Sequence, residues 1–220
     1  MARATAKTAK TTKGRRPRGS GHETRDAILR AAKELFAKEG YAAVTTRALA
    51  KRAGVSQTGL YVYFQTKEDI YNALCTETFA KLAERIHEGA DGKESLTRLR
   101  KKLQNFILFG LENPDEYELV FMVTDPALVP LHTKDLTLAP EKQGPGIRAF
   151  LEFRQMIANH ATAGVIKTLD VTLTAQLVLN ALHGTVSMLI ARPWYPWVDR
   201  NLLIEKAVDH IVSGLQRGEL

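Results

Sequence analysis

The chain has 220 residues, of which 31 are Lys or Arg, 24 are Asp or Glu, and one is a cysteine, Cys75. A chain of this length buries a sizeable core without covalent cross-links, and a single cysteine excludes an intramolecular disulfide and a zinc site built on cysteines. No unbroken run of 18 apolar residues occurs, and no apolar stretch follows the basic amino terminus. We therefore expect a cytoplasmic protein without a membrane partner.

The net charge of +7 is unevenly distributed along the chain. Residues 1–19 hold seven Lys or Arg and no acid, residues 20–67 hold eight bases and four acids, and the remainder holds sixteen bases and twenty acids. Because each neutralised phosphate releases condensed counterions, a basic end on an acidic body is typical of nucleic-acid binding. We predict nucleic acid as the main partner.

Residues 1–19 alternate Ala, Thr and Lys and then carry Arg15, Arg16 and Arg18. This composition cannot offset the conformational entropy lost on folding, so we predict a disordered basic arm. A solubilising or vector-derived tail is the alternative interpretation.

Helical periodicity predicts four helices in the first part of the chain, over residues 24–40, 46–53, 56–64 and 66–88. Thr45 and Ser56 are candidate N-caps, Gly54 supplies the positive φ that ends the second helix, and Thr66 with Asp69 resembles a capping box. Further helical segments follow at residues 96–111, 117–121, 147–161, 171–191 and 200–217, with a Pro- and Gly-rich loop at 125–146. Because no β alternation persists, the predicted fold is all-α.

Residues 46–64 have the pattern of a helix-turn-helix, with the turn at Gly54. Its predicted core positions are Leu49, Ala53, Val55, Leu60 and Phe64, with Ala50 small at the helix crossing. The rest of the third helix then faces outward with Gln57, Thr58, Gly59, Tyr61, Val62 and Tyr63. Two exposed tyrosines and a valine indicate a surface that meets a partner.

This outward face carries the chemistry needed to read a major groove. Gln57 can pair bidentately with adenine, Thr58 can meet a thymine methyl, and Gly59 lets the backbone approach. We predict phosphate contacts from Thr46, Arg47, Tyr61, Tyr63 and Lys67.

Residues 24–72 resemble the DNA-binding domain of the tetracycline-repressor (TetR/AcrR) family. The positions that match are Gly40, Thr45, Thr46, Leu49, Ala50, Ala53, Gly54, Val55, Ser56, Leu60, Tyr61, Phe64 and Lys67. The resemblance implies that Tyr61, Tyr63 and Lys67 touch phosphates and that Gln57 and Thr58 read bases. The later segment LNALHGTVSML is similar to a His-Gly segment in the ligand domain of one subset of the family.

The predicted architecture is all-α: a basic arm at 1–19, a three-helix DNA-binding domain with a helix-turn-helix at 20–66, and a helical ligand-binding and dimerisation domain at 67–220. The resemblance implies a transcriptional regulator, more often a repressor, released from a palindromic operator by a small, mostly hydrophobic effector. One reading helix supplies only a few base contacts of about 1–3 kcal/mol each, so we expect a homodimer. The fourth helix, starting at Lys67, is expected to transmit effector binding.

Two sets of apolar residues in the helical body are candidates for binding roles, although residues at helical spacing are more often core. The ligand-pocket candidates are Phe106, Phe109, Tyr117, Phe121, Phe150, Phe153 and His183. The dimer-interface candidates are Leu177, Ala181, Gly184, Met188, Leu203, Ala207 and Ile211.

The sequence shows no signature of catalysis. Six scattered histidines give no metal-ligand spacing, and neither a nucleophile elbow nor a phosphate-binding loop is present, so we expect no metal, no cofactor and no enzyme activity. Two alternatives stay open, namely an architectural DNA-binding protein without an effector and an enzyme that carries a DNA-binding head.

Overall fold

The structure is a computed structural model that describes residues 21–123 and 143–219, and these residues form nine helices and no strand. The predicted all-α class is confirmed. The helices are α1 (Gly21–Glu39), α2 (Thr46–Ala53), α3 (Gln57–Tyr61), α4 (Lys67–His87), α5 (Leu96–Glu112), α6 (Pro114–Phe121), α7 (Pro145–Thr162), α8 (Val171–Ala191) and α9 (Arg200–Arg217). The predicted arm at 1–19 and most of the predicted loop at 125–146 lie outside the described residues.

Local capping chemistry sets the bounds of α2 and α3. The Thr45 hydroxyl accepts from the Ala48 N–H, and the Ser56 hydroxyl accepts from the Gly59 N–H at 2.9 Å. Gly54 ends α2 in the left-handed conformation, at φ 70°, and the following Val55 N–H turns back to the Ala50 carbonyl. The two helices are therefore joined by a short turn, as a helix-turn-helix requires.

The third helix is shorter than predicted, because α3 ends at Tyr61 rather than at Phe64. The Leu60 carbonyl accepts from both the Tyr63 and the Phe64 N–H groups, which tightens the chain into a turn. This turn brings the Phe64 side chain back into the core. The surface predicted to read DNA, hereafter the reading surface, therefore combines α3 with the turn at residues 62–64.

The chain builds two apolar cores that share α4 and α6. The smaller core joins α1, α2 and α3 to the first half of α4 and includes Leu119 of α6, while the larger core joins the second half of α4 to α5 and α7–α9. Tyr71 of α4 reinforces the first core by donating to the Leu119 carbonyl at 2.9 Å. Phe79 packs against both cores. α4 and α6 therefore connect the core of the helix-turn-helix to the larger core.

The most apolar helix, α8, divides its apolar residues between two environments. By length and composition alone this helix could cross a membrane, but a single such helix is weak evidence for a membrane-spanning segment. Ala175, Val178, Leu182 and Val186 are buried in the larger core, whereas the opposite side exposes an apolar face. The helix thus has one packed side and one uncovered side.

Candidate nucleic-acid interface and cavity

The structure gathers most of the predicted DNA-binding residues on one surface. Gln57, Thr58, Tyr61 and Tyr63 are exposed on α3 and its following turn, and Arg47 is exposed on α2. Val62 between the tyrosines is 73% exposed. An apolar side chain this exposed, flanked by two aromatic rings, leaves a surface that lacks a covering partner in the described residues.

A side-chain contact fixes the first turn of α2 against the end of α3. The Thr46 hydroxyl lies 3.2 Å from the Tyr61 Oη. Hydrogen bonds to Thr46 and Gln57 lower the pKa of the exposed Tyr61 phenol. The contact holds the Tyr61 hydroxyl on the exposed surface beside the first turn of α2.

Some of the basic side chains around this surface form ion pairs within the protein, and others do not. Arg52 pairs with Glu34, and Arg25 pairs with Glu77 at 3.0 Å while its guanidinium lies 5.6 Å from the Phe64 ring centre. Arg47 and Lys51, by contrast, form no ion pair within the part of the chain that the structure describes. Their charges are therefore free to meet an anion.

Lys67, which the sequence predicts to bind a phosphate, directs its ammonium into the protein in this structure. Its Nζ donates to the carbonyls of Tyr41, Ala42 and Val44 at 2.8, 3.5 and 3.0 Å, and it lies 4.1 Å from the Tyr41 ring centre. An ammonium has three protons, and these three carbonyls take them all. Lys67 instead holds the loop between α1 and α2 against the start of α4.

The structure shows a reason for glycine at position 59 that was not apparent from the sequence. A Cβ atom at this position would lie 3.1 Å from the Ser56 Oγ, the atom that caps α3. A side chain would therefore crowd the cap, whether or not DNA approaches the backbone here.

A cavity of about 230 Å³ opens between α4, α5, α6 and α7, with Leu179 of α8 also in its wall. Four of the predicted pocket residues line it, namely Phe106, Phe121, Phe150 and Phe153. The other lining residues are Phe79, Leu82, Ala83, Ile86, His87, Val120, Gly146, Ala149, Glu152, Met156 and Leu179. The wall is thus apolar apart from His87 and Glu152.

Phe109, Tyr117 and His183, which were predicted for the pocket, do not line this cavity. Phe109 and Tyr117 are buried in the larger core. The Tyr117 hydroxyl lies within hydrogen-bond distance of His183 Nδ1, at 2.8 Å, and burial raises the pKa of Tyr117, so the phenol stays protonated. The Tyr117 ring also stacks on Phe121, with ring centres 4.5 Å apart, so the pair supports the cavity wall from behind.

Sequence reasoning missed the contribution of α4 to this cavity. Phe79, Leu82 and Ile86 line it from the helix that starts beside the reading surface. Their spacing of three and four residues was visible as an apolar helical face, but nothing local shows what such a face meets.

The predicted dimer residues separate into exposed and buried groups. Leu177 and Met188 of α8 are 37% and 48% exposed, Ala181 between them is exposed, and Gly184 is half-buried. Leu203 and Ala207 of α9 are half-buried. Ile211 was predicted wrongly as an interface residue, because it is only 3% exposed and belongs to the larger core.

Comparison with known proteins places this arrangement in a family. The pattern of the bacterial regulatory proteins, tetR family, matches residues 28–74. The fatty acid metabolism regulator protein of Bacillus subtilis is 39% identical over 166 residues, which cover 73% of this chain and 80% of that protein. The chain belongs to the tetR family. This confirms the resemblance drawn from the sequence, and the family and fold are those of helix-turn-helix transcription regulators rather than enzymes.

Two further similar proteins align with different shares of this chain. The nucleoid occlusion factor SlmA of Vibrio cholerae is 35% identical over 92 residues, or 41% of this chain and 47% of SlmA, so this tetR-family chain spans about half the length of that relative. The crystal structure of NalD, the secondary repressor of the MexAB-OprM multidrug efflux pump in Pseudomonas aeruginosa, matches with a TM-score of 0.66 at 18% identity, over 90% of this chain and 98% of NalD. The second likeness shows that the fold extends over both cores.

Proposed function

We propose that this chain is a cytoplasmic, homodimeric regulator that represses transcription at a palindromic operator until a small, mostly hydrophobic effector releases it. The observation that carries the proposal is the contact between Thr46 and Tyr61, which joins the start of α2 to the exposed face of α3. The unpaired cations Arg47 and Lys51 lie on α2 beside that face. A regulator bound at its operator blocks transcription by occupying the DNA.

In the proposed complex, α3 and its turn enter the major groove. Gln57 pairs with adenine and Thr58 meets a thymine methyl, while Gly59 lies at the close approach of the backbone. Tyr61, Tyr63, Thr46 and Arg47 bind phosphates and set the register. Lys67 acts indirectly, since its ammonium already holds the loop before α2.

The uncovered side of α8 is the proposed dimer interface. It presents Leu177, Ala181 and Met188 as a continuous apolar stripe, with Gly184 allowing close approach. On α9 the stripe continues through Leu203 and Ala207 and, in place of Ile211, through Leu202, which is 46% exposed. Two helices from each protomer then form a four-helix bundle, which places two reading helices on a two-fold axis.

The cavity is the proposed effector site. A cavity of about 150 Å³ lined by apolar side chains accommodates benzene, so about 230 Å³ fits a somewhat larger apolar group. Phe79 and Ile86 of α4 contact the occupant, and the same helix contributes Tyr71 and Leu74 to the core of the helix-turn-helix. An effector that binds one tilt of α4 better than another shifts the spacing of the reading helices.

We keep the proposed division into a DNA-binding domain at 20–66 and a ligand-binding and dimerisation domain at 67–220, with α4 shared between their cores. No metal takes part in this proposal. Among residues 21–123 and 143–219, no group of three His, Cys, Asp or Glu side chains is arranged to hold a metal ion.

An architectural role is the second candidate function. It is favoured only by the match to SlmA, a nucleoid occlusion factor, which is 35% identical to this chain over 92 residues. Such a protein needs no effector, and its DNA affinity is governed by phosphate contacts more than by base sequence.

Selection of binding sites from random duplexes by the full chain tests the proposal. We expect an enriched palindrome whose half-sites are about one or two helical turns apart, because two α3 helices on a two-fold axis read the same sequence. Gln57→Ala should relax the preference at one base of each half-site, whereas Gln155→Ala, an exposed glutamine on α7, should leave the selected sequence unchanged. A pool that stays random at fixed salt would contradict the proposal and favour the architectural role.

A further inference from the structure

The most exposed apolar side chain of the reading surface is Val62. It is 73% exposed, whereas Tyr61 and Tyr63 on either side of it are 38% and 37% exposed. The two tyrosines rest on different helices. The Tyr61 hydroxyl lies 3.2 Å from the Thr46 hydroxyl of α2, and a Cβ atom at Gly21, the first residue of α1, would lie 3.8 Å from the Tyr63 hydroxyl. Val62 therefore protrudes between two rings that the fold holds in place.

The backbone around Val62 is fixed on both sides. Leu60 before it is fully buried, Phe64 after it is 6% exposed, and the Phe64 N–H donates to the Leu60 carbonyl at 3.0 Å. Gln65 Nε2 closes the turn by donating to the Tyr61 carbonyl at 2.8 Å. Val62 itself has helical backbone angles, φ −66° and ψ −30°, and a β-branched side chain strongly prefers one χ1 rotamer on such a backbone. The isopropyl group is therefore presented in a defined direction.

Val62 lies on the same side of the reading surface as Thr58. The two residues are four positions apart and the backbone is helical up to Val62, so their Cβ atoms are about 5–6 Å apart on neighbouring turns. Both side chains are exposed and both carry a methyl group. Successive bases of one strand are about 3.4 Å apart along the duplex axis. The two side chains are therefore spaced to meet bases about two steps apart.

The chemistry of Val62 suits one base among the four. A valine side chain has no donor and no acceptor, so it cannot pair with the polar edges of the bases. Thymine presents a C5 methyl group in the major groove, where apolar side chains contact it. Such a contact removes both the methyl group and the exposed isopropyl group from water. A valine that only faced the sugar–phosphate backbone would show no preference among bases.

We propose that Val62 is a specificity-determining residue, which selects thymine at a second position of each half-site by covering its C5 methyl group. This position lies about two base steps from the thymine that Thr58 meets. The inference rests on the proposed function, since it takes α3 and its turn to occupy the major groove. It adds an apolar contact to the base contacts already assigned to Gln57 and Thr58.

The test removes single methyl groups from the DNA. In the operator obtained by site selection, each thymine is replaced in turn by deoxyuridine, in both half-sites together, and the full chain is titrated in fluorescence anisotropy. Deoxyuridine keeps the donors and acceptors of thymine and lacks only the methyl group. We expect each lost methyl contact to weaken binding about fourfold, hence about 15-fold for a symmetric replacement, at two positions about two base steps apart.

Two variants assign the sensitive positions to side chains. Val62→Ala should bind thymine and deoxyuridine duplexes equally at one of the two positions and keep the full methyl dependence at the other. Thr58→Ser, the matched variant, removes a methyl group but keeps the hydroxyl, and it should show the reverse pattern. Both side chains are exposed, so circular dichroism and urea unfolding should show an unchanged fold. At the Val62 position, 5-methylcytosine should bind the natural chain better than cytosine does, and Val62→Ala should bind the two equally.

The outcomes separate this inference from the proposed function. If Val62→Ala keeps the methyl dependence of the natural chain at every position, the inference is overturned even where binding is weaker, because Val62 then acts without touching a thymine methyl. If deoxyuridine leaves binding unchanged at every position, the inference is again overturned, while the selected operator still supports the regulator. A selection that yields no operator contradicts the proposed function itself, and this inference with it, before any methyl group is removed.

Discussion

Lys33 of α1 forms an ion pair with Glu116 of α6, and Lys81 of α4 approaches the same carboxylate at 3.1 Å. The Glu116 side chain is only 7% exposed, whereas both lysines keep contact with solvent. A nearly buried carboxylate thus joins the helix-turn-helix domain to α6, which bears the cavity residues Val120 and Phe121. Glu116 therefore connects α6, which bears part of the cavity wall, to α1 and α4.

Glu116→Gln should destabilise the protein because it removes the carboxylate charge that Lys33 and Lys81 share. The lysines can turn to solvent, so we expect a loss of about 1–2 kcal/mol rather than the larger cost of a fully buried pair. Urea unfolding followed by circular dichroism measures the difference. Glu118→Gln, on the exposed side of the same helix, is the matched control and should change stability by less than about 0.5 kcal/mol. Equal effects of the two substitutions would contradict this role for Glu116.

The same carboxylate should contribute to the pH dependence of stability. Burial acts to raise the pKa of Glu116, but hydrogen bonds from Lys33 and Lys81 outweigh it and lower the pKa. A lowered pKa in the folded state means that the contribution is present above the unfolded pKa, about 4.3, and is lost as the pH falls through the folded pKa. The stability difference between the natural chain and Glu116→Gln should therefore be constant near pH 7 and shrink below about pH 4. A difference that grows on acidification would show that the ion pairs do not stabilise the fold.

Lys67→Met should act on stability more than on the salt dependence of DNA binding. The substitution leaves the Tyr41 and Val44 carbonyls without their ammonium donor, and we expect a loss of about 1–3 kcal/mol in urea unfolding. Lys51→Met is the matched control, because Lys51 is exposed and has no ion pair among the described residues. It should leave stability unchanged but lower the salt slope of operator binding by about 0.9, the value for one phosphate contact. If Lys67→Met lowers the slope and spares stability, Lys67 binds a phosphate after all.

Tyr61→Phe should weaken operator binding without weakening the fold. Only the hydroxyl is removed, and that hydroxyl lies on the exposed surface next to Thr46. The loss of one hydrogen bond to a charged acceptor corresponds to about 1.5–3 kcal/mol, and we expect a decrease in affinity of about tenfold or more. Tyr195→Phe, an exposed tyrosine in the loop between α8 and α9, should leave affinity unchanged. Unaltered binding by Tyr61→Phe would exclude this phenol from the interface.

Leu177→Glu should separate the dimer. The substitution puts a carboxylate in the middle of the apolar stripe on α8, where pairing two protomers would bury two like charges near the two-fold axis. Sedimentation velocity at micromolar concentration should show a monomer of about half the mass, and operator affinity should fall because one reading helix is lost. Ala80→Glu, on the exposed side of α4, is the charge-matched control and should remain dimeric. A dimeric Leu177→Glu would place the interface elsewhere.

The residues of the helix-turn-helix were predictable because their causes are local. Thr45, Ser56 and Gly54 act within one helical turn through caps and a left-handed φ, and the predicted helix at 46–53 coincides with α2. The buried positions Leu49 and Leu60 follow from a period of 3.6 residues in an element whose neighbours are adjacent in sequence. The one local error is the end of α3, where a carbonyl that accepts two N–H groups stops the helix early.

Only the tertiary structure decided whether a given face of a helix packs against the core or is exposed to solvent. Lys67 and Lys51 are both basic residues near a helix end, yet the Lys67 ammonium is taken up by carbonyls 23–26 residues earlier in the chain. Ile211 and Leu177 both lie on apolar stripes, but one faces the core and the other solvent. Hydrophobic periodicity predicts that a helix has an apolar face, but it does not predict which part of the protein covers that face. The covering element depends on contacts between residues far apart in sequence.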